Sequence, residues 1–183
     1  MEKSEYRVDL VIEYLTKLSL SEDIKEFFFR RNILVTGGAG AIGSNLVIAL
    51  SELVGDQGMV IVLDNLSAIK GSDPIDFPSL SNVMFVQGDV RNDVDLKRVF
   101  RERPTIVYHL AAFFANQNSV DYPENSADVD INGMIKLLDL VQFTDVERFI
   151  YASSGCAIYG SYGKMPLKED FISMHLTTPY QIN

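Results

Sequence analysis

Cysteine and histidine are scarce in this chain of 183 residues, which contains only Cys156, His109 and His175 of these two types. A single cysteine excludes an internal disulfide framework, and so few thiol and imidazole ligands make no plausible zinc set. We therefore expect no metal site, and a reducing, cytoplasmic setting fits the composition. Cys156 is expected to be a small packing residue rather than a nucleophile, since no cation or base lies near it in the sequence.

Basic residues are also in short supply. The chain has 16 lysines and arginines against 25 acidic residues, a formal net charge of −9 at pH 7. Its longest basic cluster is Arg30-Arg31, which argues against a nucleic-acid surface and favours a small molecule as partner. No apolar run approaches the ~20 residues that a membrane span needs, and a signal-peptide pattern is absent. We expect a soluble protein that does not act at a membrane.

The most informative part of the chain is residues 32–50, where an apolar strand, a glycine turn and an apolar helix follow one another. Gly37, Gly40 and Gly43 have the G-x-x-G-x-x-G spacing. In that pattern the first glycine permits a tight turn, the second lets backbone approach a ligand, and the third lets the helix pack on the strand. The amides at the start of the helix can then hold a pyrophosphate.

An acidic residue follows at the place where a dinucleotide site needs one. A second apolar strand, 59–63, is followed by Asp64, which lies 21 positions after Gly43. A carboxylate there can accept a hydrogen bond from a ribose 2′-OH and would repel a 2′-phosphate. No basic residue follows in Asn65-Leu66-Ser67. The pattern therefore predicts NAD rather than NADP as cofactor.

Strand and helix patterns alternate from residue 32 onward, which predicts a parallel sheet covered by helices on both faces. The segment 67–82 lacks a clear helical period, and we expect it to replace or shorten one crossover. The predicted elements are strands 33–36, 59–63, 83–86, 105–110 and 147–153 and helices 41–54, 93–102 and 126–142.

Residues 1–31 differ from the rest of the chain and predict a helical N-terminal extension to a nucleotide-binding domain at 32–183. Apolar residues recur on one face of the first helix, and Ser21 is a candidate N-cap for a second helix. We expect the extension to pack on the same domain or on a partner subunit. A docking helix for another protein is the alternative. The apolar face comprises Val8, Val11, Ile12, Leu15 and Leu18.

Several polar residues follow predicted strands and would meet at the carboxyl edge of the sheet. Asp89, in Gly88-Asp89-Val90, could accept a hydrogen bond from an adenine amino group, although an ordinary turn also uses Gly-Asp. His109 is expected to be structural. The polar residues 116–119 could meet a sugar or simply be solvated.

A tyrosine near the end of the chain is a candidate acid or base. Tyr180 follows Pro179, a typical first residue of a helix, so its phenol would lie in the first turn and be free to point into the cleft. A phenol serves as acid or base only if its pKa, ~10 when unperturbed, is lowered by positive charge. The hydroxyls of Ser153 and Ser154 arrive at the same edge and can bond a substrate oxygen.

Taken in order, these motifs resemble the extended short-chain dehydrogenase/reductases, in the branch of NAD-dependent nucleotide-sugar epimerases and dehydratases. The resemblance covers residues 32–183. It rests on TGGAGAIGS at 36–44, Asp64-Asn65-Leu66, Gly88-Asp89-Val90, His109-Leu110-Ala111-Ala112, Asn132-Gly133, Tyr151-Ala152-Ser153-Ser154 with Tyr159-Gly160, and Thr178-Pro179-Tyr180.

The resemblance implies a doubly wound parallel sheet of the Rossmann type, with a C-terminal substrate domain absent from this chain. It implies a nucleotide-sugar substrate and a homodimer. Tyrosinate would remove the sugar hydroxyl proton while hydride passes from the sugar carbon to NAD, and Ser154 and Tyr180 would be the catalytic pair. The implied cofactor contacts are Gly37, Gly40, Ala41, Ile42 and Gly43 for the pyrophosphate, Asp64 and Asn65 for the ribose, Asp89 and Val90 for the adenine, and Leu110, Ala111, Ala112, Asn132 and Ser153 elsewhere.

The chain departs from the family pattern in places. The family has Y-x-x-x-K, whereas this chain ends at Asn183, so we expect a fragment that binds NAD without turnover. Gly155-Cys156 stands where dehydratases carry an acid, which favours epimerisation. Ser154 is five residues before Tyr159 instead of four, so Ser153 is the alternative serine. The alternatives are a nucleotide-sugar dehydratase or reductase of the same family and a non-catalytic dinucleotide-binding regulator, which would need neither the Ser154 nor the Tyr180 hydroxyl group.

Overall fold

The computed structural model describes residues 3–68, 79–114, 116–160, 165–173 and 175–183. Most of the predicted irregular crossover at 67–82 therefore lies outside the described residues. The first elements along the chain are α1 (Lys3–Leu18), α2 (Glu22–Phe28), β1 (Asn32–Thr36), α3 (Ala41–Val54), β2 (Met59–Asp64) and β3 (Val83–Gln87). They are followed by α4 (Asp93–Phe100), β4 (Ile106–His109), α5 (Asn116–Asp121), α6 (Pro123–Ala127), a π-helical turn (Asp128–Asn132), α7 (Gly133–Val141), β5 (Arg148–Tyr151), α8 (Gly155–Tyr159) and α9 (Pro179–Ile182).

The described strands form one parallel sheet in the order β3-β2-β1-β4-β5. The central strand β1 pairs with β2 on one side and β4 on the other, so Leu34 lies opposite both Ile61 and Val107. The chain order reverses between β1 and β4. A crevice opens at such a reversal, outside the carboxyl ends of the strands, and that is where doubly wound folds bind ligands.

Two apolar clusters, one on each face of the sheet, confirm that helices cover both sides. On one face Leu34, Ile61 and Val107 pack with residues of α4 and α7. On the other, Ile33 and Val35 pack with the inner side of α3. Successive strand residues point to opposite faces, so a strand buried on both faces must be apolar throughout. This is why the continuous apolar runs of β1 and β2 could be recognised.

Two helix predictions need correction. The helix predicted at 126–142 is instead α6, the π-helical turn and α7. No helix was predicted for the polar residues 116–119, but they lie in α5. Asn118 Nδ2 donates to the Phe114 carbonyl, and the Tyr122 amide donates to the Asn118 carbonyl. A short polar helix has no apolar period, so the pattern could not reveal it.

The N-terminal extension packs on α3. The guanidinium of Arg7 lies 3.4 Å from the hydroxyl of Ser44 on α3, so α1 runs beside that helix. Arg31 stacks on Phe27 of α2, 4.6 Å from the ring centroid, and forms a 2.7 Å ion pair with Glu147 before β5. Among the described residues, no helix is both long and apolar enough to cross a bilayer.

Candidate functional site

The turn between β1 and α3 forms a cradle in which the three glycines serve different purposes. Gly37 has φ +70°, and a Cβ there would lie 2.7 Å from the amide nitrogen of Ala111. A Cβ on Gly43 would collide with the Gly37 carbonyl oxygen and lie 2.7 Å from the Cα of Gly38. Both positions must therefore be glycine for the turn, helix and neighbouring loop to meet.

The middle glycine is not required by the fold. A Cβ on Gly40 would meet only the Gly37 carbonyl oxygen, at 3.3 Å, so the space above it is open. Gly40 is the N-cap of α3, and the amides of Ala41 and Ile42 in the first turn have no partner within the helix. Open space beside unpartnered amides at a helix start fits a pyrophosphate.

Asp64 lies beside this cradle at the end of β2. One carboxylate oxygen accepts a 2.9 Å hydrogen bond from the amide of Ala39, and the other a 2.8 Å hydrogen bond from the amide of Leu66. The carboxylate thus links the glycine turn to the end of β2 and lies at the edge of the cradle. A ribose 2′-OH can donate to its remaining lone pairs, whereas a 2′-phosphate would meet a negative charge.

Asp89, the predicted adenine contact, is held by an arginine that sequence reasoning missed. Arg91 donates to both carboxylate oxygens, at 2.9 Å from Nε and 2.8 Å from the guanidinium terminus, and also reaches Asp128 at 3.1 Å. These bonds from Arg91 hold the pKa of Asp89 well below its usual range and raise the pKa of Arg91. Asn65 donates to the same carboxylate at 2.9 Å. The position of Arg91, two residues after Asp89 in a tight turn, could have predicted this pair from the sequence.

Val90 is the second predicted adenine contact. It is 5% exposed, and a Cβ on Gly133 would lie 2.8 Å from one of its methyl groups. The side chain is therefore part of the core between β3 and α7. Only the backbone of Val90 remains to face a ligand.

The loop after β4 connects the cradle with a small cavity. Leu110, Ala111 and Ala112 line that cavity together with Tyr180 and other residues. The amide of Ala111 is also the group that excludes a side chain at Gly37. A ligand that extends from the glycine turn to Tyr180 would therefore pass over this loop, whose small side chains leave the backbone accessible.

His109 has the structural role expected of it. It is 2% exposed, and burial lowers its pKa to about 4, so the ring is neutral at neutral pH. Its Nδ1 lies 2.6 Å from the hydroxyl of Thr36, and its ring stacks on Tyr151 with centroids 5.9 Å apart. The Thr36 hydroxyl also accepts from the amide of Ala111 at 3.3 Å, so His109 helps to hold the loop after β4.

Tyr180 and Ser154 come together although 26 positions separate them in the sequence. Thr178 and Gln181 form a reciprocal capping box, which starts α9 at Pro179 and places Tyr180 in its first turn. Burial raises the pKa of the Tyr180 phenol, and a hydrogen bond with Ser154 partly opposes that shift. The thiol of Cys156 lies 3.0 Å from the Ser154 hydroxyl.

Three other predicted residues differ in their exposure. The side chain of Asn132 is exposed and donates to Asp128 at 3.0 Å, and Ser153 is exposed. Ser119, a candidate sugar contact, is fully buried instead: its hydroxyl donates to the Asn116 carbonyl at 2.7 Å and accepts from the amide of Tyr180 at 3.1 Å. Ser119 thus links α5 to the first turn of α9 by a hydrogen bond.

Comparison with known proteins agrees with this geometry. Residues 33–183 match the family model described as the NAD dependent epimerase/dehydratase family. A solved epimerase from Methanothermobacter thermautotrophicus is 48% identical with a TM-score of 0.79, over 87% of this chain and 46% of that one. The UDP-glucose 4-epimerase of Thermus thermophilus, solved with NAD, is 36% identical with a TM-score of 0.69, over 82% and 46%.

A curated relative gives the same picture. The UDP-glucose 4-epimerase of Mycolicibacterium smegmatis is 33% identical over 148 residues, which are 80% of this chain and 46% of the relative. The chain therefore spans less than half the length of each of these three proteins.

Proposed function

Because this chain belongs to the NAD dependent epimerase/dehydratase family, we propose that it is the NAD-binding part of a nucleotide-sugar epimerase. The observation that carries the proposal is the single loop of residues 110–112, which adjoins Gly37 of the glycine cradle and also lines the cavity of Tyr180. A dinucleotide held by its pyrophosphate at the cradle would extend along this loop toward the phenol.

The cofactor contacts follow from the positions of the residues. The amides of Ala41 and Ile42 bind the pyrophosphate over the open space at Gly40, and Asp64 accepts from the adenosine ribose. The adenine lies near the turn that Asp89 and Arg91 stabilise. Asn132 and Ser153 are further candidate cofactor contacts, and the exposure of both leaves them accessible to a ligand.

In the proposed reaction Tyr180 removes a proton from a sugar hydroxyl and later returns it, while Ser154 holds the same hydroxyl by a hydrogen bond. NAD, when bound, supplies the hydride acceptor and donor. Burial raises the pKa of Tyr180, so the phenol is protonated at neutral pH and needs nearby positive charge to act as a base. The absence of an acid at Gly155-Cys156 favours epimerisation over water loss.

We extend the proposal to the rest of the protein. The nucleotide-sugar pocket would be completed by residues that the longer relatives have, so residues 1–183 alone would bind NAD without turnover. The helical extension 1–31 would be an appendage to the cofactor domain at 32–183, in a cytoplasmic protein. A homodimer would form through the outer face of α7, where Ile135 and Leu138 are 51% and 43% exposed.

The cofactor half of the proposal is tested by calorimetry on residues 1–183. We expect NAD to bind at least tenfold more tightly than NADP, and Asp64→Asn to narrow that difference because the repelling charge is lost. Asp56→Asn, on the exposed turn after α3, is the matched control and should change neither affinity. Absence of NAD binding would refute the proposal.

The catalytic half is tested on a longer chain that continues past Asn183. With UDP-glucose as substrate, Tyr180→Phe should abolish turnover and leave NAD affinity unchanged, because the phenol acts on the sugar. Ser154→Ala should lower turnover by a factor of 10² or more, a usual effect of losing a group that acts in proton transfer. If the longer chain binds NAD but does not convert UDP-glucose, the alternative of a non-catalytic dinucleotide-binding regulator is favoured.

A further inference from the structure

We propose that Asp130 is a positioning residue for Tyr180, joining the loop that would lie under the cofactor to the helix that carries the phenol. This inference rests on the proposed role of Tyr180 as the acid and base. Asp130 lies in the π-helical turn Asp128–Asn132 and lines the same cavity as Tyr180.

The carboxylate of Asp130 bridges two separate parts of the site. One oxygen accepts a 2.7 Å hydrogen bond from the amide of Phe113, the residue directly after the loop 110–112. The other accepts a 3.1 Å hydrogen bond from the hydroxyl of Ser126, which in turn accepts one of 2.9 Å from the side chain of Asn183 at the end of α9. Ser126 is fully buried, so solvent does not compete for these bonds.

The π-helical turn explains why this carboxylate faces inward. Asp130 is partly buried, whereas its neighbours Ile131 and Asn132 are exposed. A π-helical turn inserts an extra residue and so changes which side chain faces the interior. A regular helix through 123–141 would present a different set of residues to the cavity.

The charge of Asp130 also acts on the phenol. The titratable groups that face Tyr180 are Cys156 of α8, Asp130 and Tyr151 of β5, and each of them disfavours the tyrosinate. His109, which lines the same cavity, is neutral at neutral pH. Burial is the main cause of the raised pKa of Tyr180, and a carboxylate beside a phenol also opposes its ionisation, so the same group that orients α9 adds to that shift.

The test is an NMR titration of residues 1–183 labelled with ¹³C-tyrosine, in which Tyr180→Phe identifies the resonance of Tyr180. Asp130→Asn keeps the shape and an acceptor for the Phe113 amide but removes the charge. We expect it to lower the pKa of Tyr180, because the opposing negative charge is lost. Asp130→Glu keeps the charge and should leave the titration close to that of the original chain.

Asp139→Asn is the control for a change of net charge, because Asp139 is exposed on α7. It should leave the Tyr180 titration unchanged. If Asp130→Asn shifts the pKa no more than Asp139→Asn does, the proposal is wrong.

Two further results keep the test decisive. Ser126→Ala leaves the charge in place but breaks the link to α9, so the side-chain amide resonance of Asn183 should move. An unchanged Asn183 resonance would overturn the bridging role even if Asp130→Asn failed to fold. The titration needs neither cofactor nor substrate, so its outcome is independent of whether the longer protein is an epimerase.

Discussion

The two halves of the candidate site are stabilised by different forces. The half formed by β1, the glycine turn, α3 and β2 is built from backbone and apolar side chains, and residues 33–36 and 60–62 are all completely buried. The other half is formed by the buried strand β4 together with β5 and α9, which are more open: Tyr151 is 52% exposed, and α9 is attached through the side chains of Ser119 and Ser126. Close packing shapes the cofactor cradle, whereas polar side chains orient the reactive groups.

This difference predicts how each half responds to change. A packed turn tolerates no added atom, so substitutions there act through steric clash. A set of buried polar groups responds instead to protonation and to the loss of single hydrogen bonds. Three experiments test the comparison, in order of decreasing expected effect.

Gly43→Ala should have the largest effect, because its Cβ would meet backbone atoms of Gly37 and Gly38 that cannot move aside. We expect a loss of about 3 kcal/mol in the free energy of unfolding and a fall of more than about a hundredfold in NAD affinity. Urea titration measures the free energy of unfolding, and calorimetry measures the NAD affinity.

Gly40→Ala adds the same methyl group to the same turn and is the control for Gly43→Ala. It should cost only about 1 kcal/mol in stability, since an alanine N-cap is merely unfavourable, yet still weaken NAD binding at least tenfold. Equal NAD affinity for Gly40→Ala and the original chain would show that the space above Gly40 is not the pyrophosphate site.

His109 should give the next largest effect, through pH. Its pKa is about 4 in the folded protein and ~6.5 when unfolded, so its contribution to stability is complete above pH ~6.5 and is lost as pH falls toward 4. Between pH 7 and pH 5, the free energy of unfolding should fall by about 2 kcal/mol through His109 alone.

His109→Gln should remove this pH dependence of the free energy of unfolding between pH 7 and pH 5, whatever the variant's stability at pH 7. His175→Gln, on an exposed residue, should retain the slope. A slope that survives in His109→Gln would mean that another group is responsible.

Asp89→Asn should have the smallest effect of the three. The pKa of Asp89 is lowered in the folded protein, so its stabilisation is present above pH ~4 and is lost as pH falls through the folded value. The pair is partly exposed, with side-chain exposures of 22% for Asp89 and 36% for Arg91, so we expect a loss of only about 1 kcal/mol at pH 7. The difference from the original chain should shrink as urea titrations are carried below pH 4.

The predictability of the site follows the same division. The glycine turn, Asp64 and the parallel sheet could be predicted because each depends on a local pattern: glycine spacing, an acid after a buried strand, apolar runs. The position of Tyr180 was also predictable, since Pro179 begins its helix. By contrast, Arg91 reaches Asp128 and Asp130 reaches Phe113, and no spacing within their own segments shows these contacts.

The polar supports of α9 show most clearly why the rest could not be predicted. Ser119 lies in a polar segment typical of a solvated loop, and Ser126 lies at the start of a predicted helix, yet both are fully buried. Their role depends on residues about sixty positions away, Tyr180 and Asn183. Burial of a hydroxyl is decided by what packs over it, and that information is not local.

By itself, then, the amino-acid sequence determined the strands, the glycine turn and the acid beside it, because backbone sterics and apolar periodicity act over a few neighbouring residues. Only the tertiary structure decided which distant polar groups meet: Arg91 with Asp128, Ser154 with Tyr180, and Asp130 with the loop and helix that it joins. Hydrogen bonds and charges act between atoms close in space, and the order of strands in the sheet sets which distant segments become neighbours.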